Sequence, residues 1–310
     1  MKSLVSGPGV LLIVSGFLAA SVRVATPLLF AALGETIAER GGVINLGIEG
    51  AMLSGALAAA LGSRAGGPWV GVLAASLAGL LIGILMAIIS VWLGADQVIT
   101  GTALTLGAIG LTGAVYRVAY GAAGAGLSVP TFHSVPIPLL SQIPIIGPAL
   151  FQQPALVYLG ILSVPAFWVI LFRTRWGLAL RASGESVSAA RAAGVRVLWV
   201  RTGGVMLASA LAGIGGSTLV LAQVGTFAER MTAGRGFLAL AIVVLGRWNP
   251  VWVAMAALLI GLLTALQFLF QALGLSVPYQ LFLMMPYLAT LLALGIVRGR
   301  TPAPLSIGKF

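Results

Sequence analysis

Long apolar runs separated by short polar breaks dominate the chain. They lie near 4–21, 24–38, 43–62, 69–93, 98–119, 153–172, 202–222, 236–247, 251–272 and 281–297. A straight helix needs roughly 20 apolar residues to cross about 30 Å of hydrocarbon. The runs 24–38 and 236–247 are too short for that. They predict broken, tilted or re-entrant segments, which a bilayer tolerates only where protein buries them or they line a wet cavity. The runs are continuous, whereas barrel strands alternate over about 10 residues. The pattern therefore predicts an all-α integral membrane protein. It would be a polytopic helical bundle of about ten transmembrane segments, some broken or re-entrant, forming one transmembrane domain over 1–310.

Composition removes the soluble alternative. The chain is 60% hydrophobic and only 7% charged, against roughly 25% charged in soluble domains. It has 42 glycines, which suit close helix packing in lipid, and Gly79 and Gly83 form a small-xxx-small pair. With no cysteine, disulfides and thiolate metal sites are excluded. His133, the single histidine, has no second histidine with which to hold a metal.

The formal charge of +11 would suggest nucleic acid on a soluble protein. Here the basic residues gather between membrane segments, so no nucleic-acid partner is expected. The stretch 173–201 holds Arg173, Arg175, Arg181, Arg191, Arg196 and Arg201 against the single acid Glu185. By the positive-inside tendency this loop is cytoplasmic. The tail, with Arg298, Arg300 and Lys309, should be cytoplasmic too, and four predicted helices between them agree. Counting back six helices puts the amino terminus, with Lys2, on the same side. Both termini of a multi-pass membrane protein would then be cytoplasmic. The loop 120–152 falls outside, and Pro130, Pro136, Pro138, Pro144 and Pro148 keep it from being regular helix.

Candidate chemistry is sparse. No GxxxxGK[ST] loop, GxSxG elbow or HExxH pair is present. The six acids are Glu35, Glu39, Glu49, Asp96, Glu185 and Glu229, so no catalytic residue or metal site is expected. Ionisable groups inside a membrane are functional candidates. Asn45 and Glu49 are spaced i,i+4, as on one helix face. Asp96 and Gln97 open the fifth run. With Gln223, Gln267 and the aromatic Phe237, they are candidates for a solute pathway. The alternative for Glu49 is a part in the fold, pairing with Arg40 or Arg23, and Glu39 and Arg40 are read as structural. In 184–197 a short helix is expected: Ser186 or Ser188 as cap, Glu185 at the positive end of the dipole, and Gly194 at the close.

Several passages resemble permease subunits of bacterial ABC importers in the branched-chain amino acid/ribose/nucleoside superfamily. They are "ATPLLFAALGETIAERGGVINLGIEGAMLSGA" (25–56), "ADQVITGTALTLGAIGLT" (95–112), "LRASGESVSAARAAGVRV" (180–197), "GRGFLALAIVVLGRWNP" (234–250) and "MPYLATLLAL" (285–294). "ERGGVINLGIEG" and "GRWNP" resemble the nucleoside/simple-sugar branch, and the length resembles the shorter of its two paired permeases. The resemblance implies an ATP-driven importer of a small polar solute, most simply a nucleoside, working by alternating access. A simple-sugar or branched-chain amino acid permease is the alternative within the superfamily, and an ion-coupled secondary transporter the alternative outside it. The implied partners are an ABC ATPase that carries ATP and Mg, a second and larger permease, a substrate-binding lipoprotein and membrane lipid. The chain itself would have no ATPase site. The resemblance also implies that Ala189, Ala190 and Gly194 keep the AAxxxG spacing of a coupling helix. Arg181, Gly184, Glu185 and Arg191 would lie at the ATPase contact, and Ser188 stands where many importers have glutamate.

Overall fold

A computed structural model describes residues 7–121, 128–272 and 303–308, together with residues 284, 288, 291 and 295. The predicted segment 281–297 falls almost wholly outside the described residues, as do Lys2, Arg298, Arg300 and Lys309. The architecture is helical. The elements are α1 (Gly7–Arg40), α2 (Ile48–Gly66), α3 (Pro68–Met86), α4 (Gln97–Tyr120), α5 (Ile146–Phe151), α6 (Ala155–Arg173), α7 (Arg175–Glu185), α8 (Val187–Ala192), α9 (Val197–Leu219), α10 (Arg235–Leu245) and α11 (Pro250–Ala272). Short π-helical stretches extend α3 to Trp92 and α9 to Val224. Six helices among the described residues are long and apolar enough to cross a membrane. The 19-residue α2 carries Glu49 and Arg64 and packs among α3, α4 and α9.

The first two predicted segments are one helix. α1 runs 34 residues without a break, about 51 Å at the helical rise. Between the two, the Ser21 hydroxyl donates to the Phe17 carbonyl at 2.8 Å and stays within the helix. Pro27 lies inside α1. It has no N–H to offer the Arg23 carbonyl four residues back. The Gln223 side chain supplies the missing donor at 2.9 Å, as neighbours do where proline interrupts a membrane helix. Merging the two segments removes one crossing from the count on which the expected side of the amino terminus rested. Gly7 lies at the opposite end of α1 from Arg40.

Glycine sets how closely the central helices approach. α2, α3 and α9 meet at Gly55, Gly79 and Gly213. A Cβ on Gly79 would lie 2.2 Å from the Ser209 carbonyl oxygen, and one on Gly213 would lie 2.2 Å from that of Ala75. Gly83 abuts the Ser209 side chain, so the Gly79–Gly83 pair forms the contact between α3 and α9 that its spacing suggested.

The two ends of the bundle differ. At one end, residues 128–154 form a short antiparallel pair just before α6, β1 (Ser134–Pro136) with β2 (Gln152–Pro154). They cap α2 and α9 through Ser63 to the Pro130 carbonyl (2.6 Å), Val129 N–H to Gly225 and Phe132 N–H to Leu221. At the other end, the close of α1, the helices α7 and α8 and the tail residues 303–308 converge.

Candidate functional site

The turn after α1 carries the buried polar residues of the first half. Asn45 precedes α2 rather than riding on it, so Asn45 and Glu49 do not share a helix face. Asn45 is fully buried. Its N–H donates to a Glu35 carboxylate oxygen at 2.8 Å, and its side-chain amide donates to the Ser209 hydroxyl at 2.9 Å. Gln97, also buried, accepts the Ile44 N–H at 2.7 Å. These groups pin the 41–47 turn against α1, α4 and α9. Asp96 lies elsewhere, exposed before α4. It caps that helix by accepting the N–H groups of Val98 and Ile99, both at 2.9 Å. Gln267 is buried on α11. Asn45, Asp96, Gln97 and Gln223 thus all serve backbone groups or neighbouring helices.

Glu49 does something the sequence did not suggest. Its carboxylate meets neither Arg40 nor Arg23 but the start of α10. One oxygen accepts from the Thr232 hydroxyl at 2.6 Å and the Gly234 N–H at 2.9 Å; the other accepts from the Gly236 N–H at 2.6 Å. A helix start presents orphan N–H groups and the positive end of a dipole, so a carboxylate there satisfies both. Bonds of this kind to a charged acceptor are roughly twice as strong as neutral ones. The fit is close: a Cβ on Gly236 would come within 2.6 Å of the Glu49 Cα. α10 has only 11 residues, about 16 Å, which matches the short segment expected at 236–247. It is a half-helix whose amino end is held inside the bundle by α2. Phe237, 41% exposed, stands beside that end.

The far end of α10 is fixed from α1. Arg247 and Trp248 both adopt positive φ, 51° and 55°, an unfavourable conformation for side chains of that size. The Trp248 indole N–H donates to the Glu39 carboxylate, and the Trp248 carbonyl accepts from Arg40 at 3.0 Å. Glu39 and Arg40 therefore hold the turn between α10 and α11, the structural part expected of them.

The loop 173–201 is two helices, not one. α8 follows the expected signals: the Ser186 hydroxyl accepts the Ala189 N–H at 3.3 Å, and Gly194, at φ 82°, follows its last turn. Glu185 is the last residue of α7, not a first-turn residue of α8. Ala189, Arg191 and Gly194 are exposed, while Gly184 and Ala190 are buried. A Cβ on Gly184 would lie 2.1 Å from the Arg40 carbonyl oxygen, so Gly184 is a seat for α1 and is turned away from any outside partner. Arg181 lies half-buried with its guanidinium 5.0 Å from the Phe172 ring centre. The residues expected at the ATPase contact thus divide into an outward set, Ala189, Arg191, Gly194 and Glu185, and an inward set, Arg181, Gly184 and Ala190.

The tail closes this end. Ser306 N–H donates to the Gly184 carbonyl at 2.9 Å and Gly308 N–H to that of Gly42 at 3.1 Å. The Ser306 hydroxyl faces the Ser183 and Gly184 carbonyls. Arg201 donates to the Ser183 carbonyl at 3.1 Å and to the Ser306 hydroxyl at 3.3 Å. Nothing in the composition of the tail announced this role.

A helical bundle with a half-helix held inside it and a helix pair on one face fits a transport subunit. The family described as the branched-chain amino acid transport system permease component matches residues 17–294. The chain belongs to that family. Among curated relatives, the permease is similar to the nucleoside ABC transporter permease protein NupC of Lactococcus lactis subsp. cremoris, with 35% identity over 91% of this chain and 92% of the relative. It is 35% identical to the guanosine ABC transporter permease protein NupQ of Bacillus subtilis over 96% of each. It is 37% identical to the putative glucose ABC transporter permease protein TsgC13 of Haloferax volcanii over 84% of this chain and 80% of the relative. No solved structure matches the chain.

Gln223 gives a first prediction for the permease. Gln223→Leu removes the donor to the Arg23 carbonyl opposite Pro27. The site is exposed, so the expected loss is about 1 kcal/mol, read as a lowered thermal midpoint in detergent with the rate of uptake unchanged. An unchanged midpoint would show that α1 does not need this bond.

Proposed function

We propose that this permease imports nucleosides as one subunit of an ABC transporter in the bacterial inner membrane. The reading is supported by the near full-length similarity to NupC and NupQ, whose names specify a nucleoside and guanosine transporter. The observation that carries it to particular residues is the half-helix α10. Its amino end, tied to α2 by Glu49, presents the exposed ring of Phe237. An aromatic ring offers a stacking partner to any base, worth about 1–3 kcal/mol in base-binding proteins. That is weak enough for release, as transport requires.

In this reading Phe237 touches the solute, and Glu49 positions α10 without touching it. Asn45 and Gln97 hold the turn that presents α2. The face bearing α7, α8 and residues 303–308 is cytoplasmic, and the 120–152 segment is external. Ala189 and Arg191 of α8, with Gly194 just beyond it, meet the ATPase, which carries ATP and Mg. Closure of the ATPases shifts the helix pair, and because packed interfaces switch between discrete arrangements, the shift reaches the bundle as a change of access. A second permease and an external binding lipoprotein complete the assembly. A second reading, sugar import, is favoured by the similarity to TsgC13.

The test is uptake by proteoliposomes holding the chain with its ATPase, second permease and binding protein. Labelled guanosine is expected to accumulate with ATP and glucose is not. Phe237→Leu should lower guanosine uptake about tenfold, and Phe237→Trp should retain it. Uptake of glucose in preference to guanosine would replace this reading with the second.

A further inference from the structure

One end of α3 and α9 carries a basic crevice that shares only Arg191 with the proposed ATPase contact. Trp92 ends the extended α3 and meets Trp199 of α9 edge to face, with ring centres 5.1 Å apart. The Trp92 indole N–H donates to the Thr202 hydroxyl at 3.0 Å. The rings are 45% and 62% exposed. They terminate a stripe along α3 of exposed Leu73, Leu77, Leu81, Leu85 and Ile88 that begins at exposed Trp69. Steps of four and three make each side chain the neighbour of the next, so the stripe is continuous but winds around α3 along its length. Trp69 and Trp92 lie roughly 35 Å apart at the helical rise, close to the thickness of a hydrocarbon core. Tryptophan concentrates at the two membrane interfaces. The stripe is thus a lipid-facing surface, with Trp92 and Trp199 at headgroup depth.

Positive charge converges at the same depth. Two adjoining crevices, of about 190 and 390 Å³, share Arg191, Val197 and Leu198. The smaller reaches Trp92 and the buried Arg201; the larger reaches Arg196 and Trp199. No acidic residue lines either one. Asp96, two residues beyond Gly94 at the rim, directs an oxygen to the Val98 and Ile99 amides. The first turn of α9 adds the positive end of a helix dipole. Guanidinium groups match phosphate in two-pronged geometry, and basic pockets between membrane helices take anionic headgroups.

We propose that this crevice binds an anionic phospholipid. The phosphodiester lies among Arg191, Arg196 and Arg201, the interfacial region rests on the Trp92–Trp199 pair, and the acyl chains follow the leucine stripe of α3. Because Arg191 belongs to α8, a seated lipid ties the helix pair to the bilayer. The inference rests on the membrane placement of the chain and not on its solute.

The test uses the purified full chain in phosphatidylcholine nanodiscs doped with phosphatidylglycerol, with retained lipids counted by native mass spectrometry. Phosphatidylglycerol should be retained in preference to phosphatidylcholine. Arg196→Gln, on the exposed rim outside α8, should lower that retention about fivefold. Arg196→Lys, which keeps the charge, should restore most of it and shows that a loss reflects charge rather than unfolding. Equal retention of the two lipids would overturn the proposal, as would retention indifferent to Arg196→Gln. Displacement of the lipid by millimolar inorganic phosphate would mark a free-anion site instead.

Discussion

Glu49→Leu is expected to lower thermal stability by on the order of 3–5 kcal/mol and to abolish uptake. The carboxylate accepts three bonds from Thr232, Gly234 and Gly236, and it is 6% exposed. Leucine leaves a hydroxyl and two helix-start N–H groups without their acceptor in a site poor in water. Each such loss costs about 1–3 kcal/mol. Glu49→Gln separates packing from charge. Its carbonyl oxygen still serves one side of the cap, but its NH2 faces an N–H donor on the other. We expect a stability loss of about 1–3 kcal/mol, intact assembly with the ATPase and strongly reduced uptake. Thermal unfolding in detergent and proteoliposome uptake read both. Wild-type uptake by Glu49→Gln would mean that α10 does not depend on its carboxylate anchor.

Removing residues 303–310 is expected to uncouple the transporter. Those residues bond the close of α1 through Gly42 and the close of α7 through Ser183 and Gly184, with Arg201 joining from α9. At roughly 1 kcal/mol for each of about three bonds, the docked position of α7 loses on the order of a hundredfold preference. The membrane helices do not depend on these bonds, so the chain should still insert and purify with its ATPase. ATP turnover should change by less than about twofold and uptake should fall about tenfold or more. Ser306→Ala keeps the backbone bonds and should give an intermediate loss. Coupled uptake at the normal rate after truncation would exclude the tail as a link between α1 and α7.

What was legible in the sequence divides along a physical line. Features set by local chemistry could be read: the apolar runs, the shortness of α10, the serine cap and glycine close of α8, and the glycine pair on α3. Features set by distant partners could not. The expected break between 4–21 and 24–38 is absent because the structure satisfies the polar groups there without interrupting α1, by a local Ser21 bond and a Gln223 donor from the extension of α9. Asn45 and Glu49 looked like one helical face because their spacing is four, but the turn ends only after Asn45. Two of the three partners of Glu49 are backbone N–H groups, and backbone carries no signature in a sequence. Glu35, Thr232, Ser209 and Trp248 were missed because nothing about their neighbours in the chain marks them. The inward turn of Gly184 and Ala190 depends on where α1 ends, which the spacing of small residues does not encode.

The carboxylate that holds α10 also bears on how the protein is made. An 11-residue helix is too short to partition across a bilayer by its own hydrophobicity. The preceding turn exposes N–H groups that lipid cannot satisfy. α10 therefore has no stable place in the membrane until something accepts those groups. Synthesis proceeds from the amino terminus, so α2 is delivered long before α10 leaves the ribosome. The acceptor that α10 needs is therefore made before α10 itself, and the carboxy-terminal half relies on a group that the amino-terminal half supplies.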